Sequence, residues 1–355
     1  MDIRQLLENA VREEASDVFI ISKLPITLKI KGDFRQIGEE LVTPGAAEQM
    51  IGQIYELAHG RSLQHLRAHG DDDFSFSISG LGRFRANAFS QRGSMAVVLR
   101  IISFDLPDPQ ALGIPEVVMN TSNYSHGLVL VTGPAGSGKS TTLANIINRI
   151  NETRKGHIIT MEDPLEYIHK HKQCIVSQRE IPTDTDSYVT ALRAALRQSP
   201  DVLLLGEMRD LETIEIAMTA AETGLLVFST LHTMGAANTV DRIIDVFPVE
   251  QQRQIRTQLS MVLRAVVSQQ LLPGKDGELL PAFEVMLVNL AIQNMIREEK
   301  IFQIGSAIYS GMKEGMIPMD VSILELYKKG LVDKEAALTH SLNYKMMEDE
   351  IAKIG

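Results

Sequence analysis

The stretch that decides the fold is Gly133–Ser140, which reads GPAGSGKS and fits the pattern G-x-x-x-x-G-K-[ST]. It follows the apolar run Leu128–Thr132 and precedes a helical pattern over Thr141–Asn151. In this strand–loop–helix context, backbone N–H groups of a glycine-rich loop surround phosphate oxygens, and the N-terminal end of the helix adds a positive dipole. The sequence therefore predicts a phosphate cradle for a nucleotide.

The cradle predicts a nucleotide site with two specialised side chains. We expect Lys139 to reach the β- and γ-phosphates of ATP, and the hydroxyl of Ser140 to be a ligand of Mg²⁺. The predicted nucleotide-binding residues form one uninterrupted run: Gly133, Pro134, Ala135, Gly136, Ser137, Gly138, Lys139, Ser140 and Thr141.

Around the cradle, apolar runs alternate with helical patterns, which is typical of a parallel sheet covered on both faces. From Val249 to Leu272 the pattern predicts one long helical stretch, then a strand at Leu279–Leu287 and a mostly helical tail from Ala291. The other predicted strands and helices between the cradle and Val249 are His157–Glu162, Ser187–Gln198, Val202–Glu207, Leu211–Thr223 and Leu225–Thr230.

The first hundred residues lack this rhythm and predict a small α+β domain with an antiparallel sheet. A proline-bearing stretch, Ser103–Glu116, is the predicted linker to the rest of the chain. The predicted elements before it are helices at Ile3–Glu14 and from Pro44, and strands at Asp17–Ser22, Ile26–Lys31, Asp73–Ser79, Arg83–Ser90 and Met95–Ile102.

Composition narrows the class of protein. The chain has 355 residues, a formal net charge of −10 and one cysteine, Cys174. The length suggests about two domains, and the charge counts against a surface built to coat nucleic acid. The first residues have no apolar signal core, and no run is long enough to span a membrane. We therefore expect a cytoplasmic protein with no nucleic acid partner.

Two further strand ends carry carboxylates, which a nucleotide-hydrolysing site needs for magnesium and for the attacking water. Glu207 follows the apolar run at Val202, and Glu162 and Asp163 follow the run at Ile158. Because Glu207 stands where aspartate is more common, its longer side chain is expected to act on the metal through a bridging water. The residues alone leave open which of these acids orients water.

Three basic side chains complete the predicted machinery. His232 follows the predicted strand Leu225–Thr230 and is a candidate sensor of the γ-phosphate. Arg85 and Arg100 lie on consecutive predicted strands of the N-terminal domain, where antiparallel pairing would bring them together. Arginines supplied to a nucleotide by a second domain would change the angle between the domains as ATP becomes ADP, and they contribute strongly to rate.

Four segments taken together resemble a known family. The cradle GPAGSGKST, ITMEDPLEYIH, DVLLLGEMRDLETI with TAAETG, and STLHTMGAANTVDRIIDVFP are similar to the Walker A, Asp box, Walker B and His box of bacterial secretion ATPases. This superfamily drives type II secretion and type IV pili. The resemblance extends from ASDVFI near the start to AIQNMIREEK near residue 300.

The resemblance implies a PAS-like N-terminal α+β domain joined to a RecA-like α/β ATPase domain with a helical C-terminal region, assembled as a homohexamer. The corresponding predicted bounds are 1–103, a linker 104–116, then 117–290 and 291–355. By the same resemblance, Glu162 is the catalytic glutamate, Glu207 the Walker B acid near magnesium, and His232 the His-box residue. Arg85 and Arg100 match the family's paired arginines.

Within the family, the sequence favours the branch that retracts pili in twitching motility. Assembly and type II secretion ATPases usually carry a four-cysteine zinc insertion and a longer N-terminal region, whereas this chain has one cysteine and about 125 residues before the cradle's strand. The C-terminal motif AIRNLIRE of retraction motors reads AIQNMIRE here, departing at Gln293 and Met295. An accessory retraction paralogue therefore stays open.

The expected motor works peripherally at the cytoplasmic face of the inner membrane, on a platform protein of the pilus (PilC-like). Its alternatives are a pilus assembly or type II secretion ATPase, a RecA-like nucleic-acid translocase, and a regulator that binds nucleotide without hydrolysing it. A translocase would need a basic, aromatic-rich binding segment, and the intact acids argue against a regulator.

Overall fold

The computed structural model describes residues 2–30, 32–102, 106–208 and 210–354. The described residues fall into two compact units, one within 1–105 and 166–168 and the other within 106–165 and 169–355. We call them the N-terminal unit and the C-terminal unit. Lys31, the end of one predicted strand, and residues 103–105, at the start of the predicted linker, lie outside the described residues. The exact domain bounds stay predictions.

The N-terminal unit contains one antiparallel sheet whose described strands lie in the order β3-β2-β1-β6-β5-β4. The prediction of an antiparallel α+β domain is therefore confirmed. Its elements are α1 Ile3–Arg12, β1 Asp17–Ile20, β2 Thr27–Ile30, β3 Asp33–Gln36, α2 Pro44–Leu57, α3 Gln64–His69, β4 Asp71–Ile78, β5 Gly82–Gln91 and β6 Ser94–Ile102.

Strands β4 and β5, which were predicted from the sequence, show alternating buried and more exposed residues. In β4 every second residue is buried, including Phe74, Phe76 and Ile78, which pack in the core with the apolar stripe of α1. Helix α2 begins as expected, with Thr43 accepting from the backbone N–H of Ala46. Elements β3 and α3 were not predicted. All residues of β3 are exposed, so this edge strand carries no hydrophobic pattern.

The C-terminal unit contains a mixed sheet with the described strands in the order β13-β12-β7-β11-β10-β8-β9. All neighbouring pairs are parallel except β12 and β13, which are antiparallel. The elements up to the last strand are α4 Glu116–Met119, β7 Gly127–Thr132, α5 Lys139–Thr153, β8 Gly156–Glu162, β9 Cys174–Glu180, α6 Tyr188–Ala195, β10 Val202–Leu205, α7 Leu211–Glu222, β11 Leu226–Leu231, α8 Ala236–Asp245, α9 Val249–Val262, β12 Leu263–Pro273 and β13 Leu279–Leu287.

Helices cover both faces of this sheet, which is why β7 is an unbroken apolar run. Leu128 and Leu130 of β7 point to a core shared with helices α6 to α9. Val129 and Val131 point the opposite way, to a core shared with α5. The predicted parallel sheet is thus confirmed for the four strands that lead to the cradle and to the acids and histidine. The edge strand β13, for which no direction was predicted, runs antiparallel to β12.

The prediction of one helix from Val249 to Leu272 is wrong. Helix α9 ends at Val262, and strand β12 begins at Leu263 without a connecting loop. From Leu263 onward most residues are buried, since β12 lies between β7 and β13 and both of its faces are covered. A strand covered on both faces shows no alternation, and a short apolar run of this kind cannot be told from a buried helix by periodicity.

The tail is mostly helical, as predicted. Its later helices pack with Leu272 and Ala282 of the last two strands in a small separate core. None of the described helices combines the length and apolar character that crossing a bilayer requires. The tail helices are α10 Leu290–Arg297, α11 Ile304–Ser310, α12 Met319–Lys328, α13 Lys334–His340 and α14 Tyr344–Ala352.

Candidate functional site

The predicted site residues of the C-terminal unit follow the carboxyl ends of adjacent parallel strands. In the sheet register, Thr132 of β7 pairs with Leu231 of β11, and Leu205 of β10 pairs with Ser229 of β11 and Met161 of β8. The cradle, His232, Glu207 and Glu162 therefore follow four neighbouring strands at one edge of the sheet. This edge is where open α/β sheets bind ligands.

The cradle adopts a conformation that requires glycine at both ends. Gly133 has a φ of 140°, and a Cβ there would lie 2.0 Å from the carbonyl oxygen of Gln269. Gly138 has a φ of 85° and is the N-cap of α5, so the loop turns directly into the helix. Both positions lie in the left-handed region that favours glycine. The loop thus presents the start of a 15-residue helix to the site.

Two polar side chains inside the cradle are buried. The ammonium Nζ of Lys139 donates to the carbonyl oxygens of Gly133 and Pro134, at 2.9 and 2.8 Å. The hydroxyl oxygen of Ser137 is buried and has no hydrogen-bond partner among the described residues. Buried polar atoms are nearly always satisfied, and a bound phosphate oxygen would supply an acceptor for this hydroxyl. The cradle therefore fits a polyphosphate.

Gln269 of β12 touches the cradle and was not among the residues predicted from the sequence. Its side chain is 4% exposed, and its Oε1 accepts a hydrogen bond from the hydroxyl of Thr142 at 2.7 Å. Its Nε2 lies 2.9 Å from the position of a Cβ built on Gly138. Because this segment was predicted as helix, no signal in the sequence placed Gln269 beside the cradle.

The structure brings Glu207 and His232 together. The carboxylate Oε2 of Glu207 lies 3.3 Å from Nε2 of His232, and the Glu207 side chain is 11% exposed against 55% for His232. Both residues line a cavity of about 480 Å³ that also reaches Thr230 and Arg242. The imidazole of His232 is thus within hydrogen-bonding distance of the Glu207 carboxylate and lines the same cavity.

Glu162 lies at the end of β8, next to the strand that precedes Glu207. The connecting residue Gly206 packs closely against this strand end: a Cβ on it would lie 2.6 Å from the Tyr188 hydroxyl and 3.3 Å from Cα of Glu162. The amide of Gly206 also donates to the carbonyl oxygen of Met161, at 2.8 Å. The backbones that carry the two acids are therefore in direct contact.

The loop after His232 is held by side chains from β12 and β13 that were not predicted from the sequence. The amide of Gly235 donates to the hydroxyl of Ser268, and the amide of Ala236 donates to Oε1 of Glu284, at 2.9 and 2.7 Å. Burial raises the pKa of Glu284 above its usual value, although hydrogen bonds from the backbone amides of Ala236 and Met319 favour its charged form. The carboxylate thus ties the start of α8 to β13.

In the N-terminal unit, Arg85 of β5 pairs directly with Arg100 of β6 in the antiparallel register, as the strand spacing predicted. Like charges placed opposite each other repel, and each arginine has an acidic partner. Arg85 bonds Asp73 at 2.7 Å, and Arg100 bonds Asp17 at 3.0 Å. The two guanidinium groups therefore lie on the same face of this sheet, each in an ion pair with a carboxylate.

A search against protein-family models matches residues 1–300 to the family described as type II/IV secretion system protein. The chain belongs to this family.

Two relatives of this type II/IV secretion system family come from Pseudomonas aeruginosa. The type IV pilus retraction ATPase PilT is 44% identical over 337 residues, which cover 95% of this chain and 97% of PilT. The type IV pilus ATPase PilU is 36% identical, with 96% and 89% covered. A crystal structure of the pilus retraction motor PilT with bound ADP is 44% identical, with a TM-score of 0.89 over 98% of this chain and 99% of that one.

These similarities confirm the predicted fold class, the family resemblance and ATPase activity of the secretion ATPase type. The roles of the individual site residues stay predictions. In the described part of the chain, no group of three or more His, Cys, Asp or Glu side chains is placed to hold a metal ion. The donors predicted for magnesium, the Ser140 hydroxyl and the Glu207 carboxylate, are the hard oxygen ligands that Mg²⁺ takes alongside water and substrate phosphates.

Proposed function

We propose that this family member is a homohexameric, ATP-hydrolysing motor that powers type IV pilus retraction. The observation that carries the proposal is 44% identity to PilT across 95% of the chain, combined with a cradle whose glycines and buried side chains fit a polyphosphate. The motor acts at the cytoplasmic face of the inner membrane, which it reaches through a pilus platform protein. It does not bind nucleic acid.

ATP binding rests on residues Gly133 to Thr141. Backbone N–H groups of the loop and of the first turn of α5 surround the β-phosphate, and Lys139 places its ammonium between the β- and γ-phosphates. The Ser140 hydroxyl and, through water, the Glu207 carboxylate would hold Mg²⁺, which would neutralise charge on the phosphates.

Hydrolysis needs a base or water-positioning group on the far side of the γ-phosphate. Glu162 fills this role: its carboxylate accepts a hydrogen bond from the attacking water and orients it in line with the bond that breaks. Glu207, whose carboxylate lies 3.3 Å from His232, is the acid that we assign to the metal side. His232 then reports loss of the γ-phosphate to the loop that Ser268 and Glu284 hold.

The mechanical step uses the arginines of the N-terminal unit. Arg85 and Arg100 supply positive charge to the γ-phosphate in the transition state and lose that attraction once phosphate departs. Release allows the domains to rotate, and rotation around the ring acts on the platform protein so that pilin subunits return to the bilayer.

Identity favours the main retraction motor over its accessory paralogue, since the chain is 44% identical to PilT and 36% to PilU in the same organism. The departures at Gln293 and Met295 leave α10 intact, with Ile292 and Ile296 buried.

Deleting the gene tests the function directly. We expect persistent surface pili that do not retract, and loss of twitching, both reversed by a plasmid copy of the wild-type gene. Light microscopy of labelled pili gives the readout. Cells without pili would contradict the proposal and indicate an assembly ATPase, and normal retraction would indicate an accessory role.

The arginine role predicts a kinetic effect without a binding effect. We expect Arg85→Ala to lower kcat by at least about 100-fold, because an arginine that stabilises transferring phosphate contributes on the order of 10³–10⁵. The Kd for ATP should change by less than about 3-fold. Steady-state hydrolysis and equilibrium binding measure the two quantities.

Arg35→Ala is the matched control, because Arg35 lies on the same sheet and bonds Glu13 at 2.8 Å without a predicted role at the nucleotide. It should leave both constants near wild type. Weaker ATP binding with unchanged kcat in Arg85→Ala would reassign this arginine to ground-state binding.

A further inference from the structure

The cradle is supported from the neighbouring strand β12 by a residue that lies outside the sequence motif. Ser268 pairs with Thr132 in the parallel register of β12 and β7, so Gln269 comes directly opposite Gly133, where the loop leaves the sheet. This register explains why the backbone of Gln269 meets the first glycine of the cradle.

Gln269 touches the cradle at three separate points. Its carbonyl oxygen lies against Gly133, and its Nε2 lies beside Gly138. Its Oε1 accepts from the hydroxyl of Thr142, which is fully buried in the first turns of α5. The contacts therefore span the start of the loop, its end and the helix that follows it.

We propose that Gln269 is the positioning residue of the phosphate cradle, holding the loop and α5 in the geometry that binds the nucleotide phosphates. It acts through Thr142 and the glycine backbone and does not itself contact phosphate. The inference rests on the proposed function, since it assigns a role within the same nucleotide site.

The physical reason is the flexibility of the loop. Glycine is less restricted than other residues, so a glycine-rich loop samples many conformations unless neighbouring groups limit them. Binding from a loop that is already arranged loses less conformational entropy, and affinity rises accordingly. A buried, uncharged amide can do this without placing a negative charge near the phosphates.

The adjacent residue provides a matched control. Gln270 is also 4% exposed, but its Nε2 donates to the carbonyl oxygen of His340 in the C-terminal helices, at 3.0 Å. Gln269→Met and Gln270→Met thus make the same near-isosteric change at successive positions of one strand. Each variant removes a buried hydrogen-bonding amide. Gln270 lines a cavity together with Pro134 and Ser137, but only Gln269 hydrogen-bonds α5, through Thr142.

The test measures ADP binding with Mg²⁺ by calorimetry on the full-length protein, together with the melting temperature without nucleotide. We expect Gln269→Met to raise the Kd about 5- to 10-fold, as loss of one buried hydrogen bond suggests. Gln270→Met should leave the Kd within about 2-fold of the wild-type value. Both variants should lower the melting temperature, and by similar amounts. A purely structural role for Gln269 would lower the melting temperature and leave the Kd unchanged, and that result would overturn the inference.

A double-mutant cycle tests the route through Thr142. Thr142→Val should raise the Kd to a similar extent as Gln269→Met, and the double variant should be weakened by less than the product of the two effects, since both remove the same bond. Effects that multiply would overturn the inference. Wild-type protein that fails to bind ADP would overturn the proposed function as well, whereas normal wild-type binding with an unchanged Gln269→Met would overturn this inference alone.

Discussion

Lys139→Ala is expected to abolish ATP hydrolysis, lowering kcat/KM by more than about 1,000-fold. The lysine ammonium is buried in the cradle and already bonds two of its carbonyl oxygens, so its position is set before ligand arrives. Loss of this charge removes stabilisation of the β- and γ-phosphates. The effect on rate is large because enzymes catalyse phosphoryl transfer mainly by electrostatic stabilisation. Phosphate release by the purified protein measures the effect.

The control for this variant is Lys155→Ala, which removes an exposed lysine just beyond the C-terminal end of α5. It should hydrolyse ATP at the wild-type rate. Gel filtration should show the same assembly for Lys139→Ala as for wild type, because the change lies in a loop that other elements support. Substantial hydrolysis by assembled Lys139→Ala would show that the cradle is not the site of catalysis.

Glu162→Gln is expected to lower kcat by about 100- to 10,000-fold while ATP still binds, the range that general acid–base groups contribute. Glutamine keeps the shape of the side chain and loses the negative charge that orients and accepts a proton from water. Single-turnover hydrolysis and equilibrium binding of ATP separate chemistry from affinity.

Asp163→Asn is the matched control, since it neutralises the adjacent, exposed carboxylate. It should leave turnover close to wild type. If Asp163→Asn is the inactive variant and Glu162→Gln retains full hydrolysis, the two acids exchange roles. Glu207→Gln should instead raise the Mg²⁺ concentration needed for half-maximal hydrolysis, because its carboxylate is assigned to the metal side.

The sequence was most informative for candidate site residues that directly follow a predicted strand. The cradle, the acids at Glu162 and Glu207 and the histidine at His232 could be placed because parallel strands deliver their ends to one edge of the sheet. The opposition of Arg85 and Arg100 followed from the spacing of two consecutive strands that form a hairpin. In each case the local pattern and the tertiary arrangement agree.

The supporting residues could not be placed in this way. Gln269, Ser268 and Glu284 lie on β12 and β13, strands far from the cradle in sequence, and β12 carries a buried run that also suits a helix. Their contacts depend on which strand lies beside β7, and this is decided by the packing of the whole unit. The strands β3 and β9 were also not predicted. Neither shows a clear alternation of buried and exposed residues along its whole length.

The contact at Gly206 has a consequence for catalysis. A Cβ on Gly206 would lie 2.6 Å from the Tyr188 hydroxyl and 3.3 Å from Cα of Glu162. We therefore expect the spacing between the segments that carry Glu162 and Glu207 to be established when the protein folds. Dipoles preorganised in this way need no rearrangement at the moment of reaction, which is where enzymes gain most over water. Gly206 thereby keeps the segments that carry Glu162 and Glu207 close together. We expect the conformational changes that accompany hydrolysis to occur in other parts of the molecule.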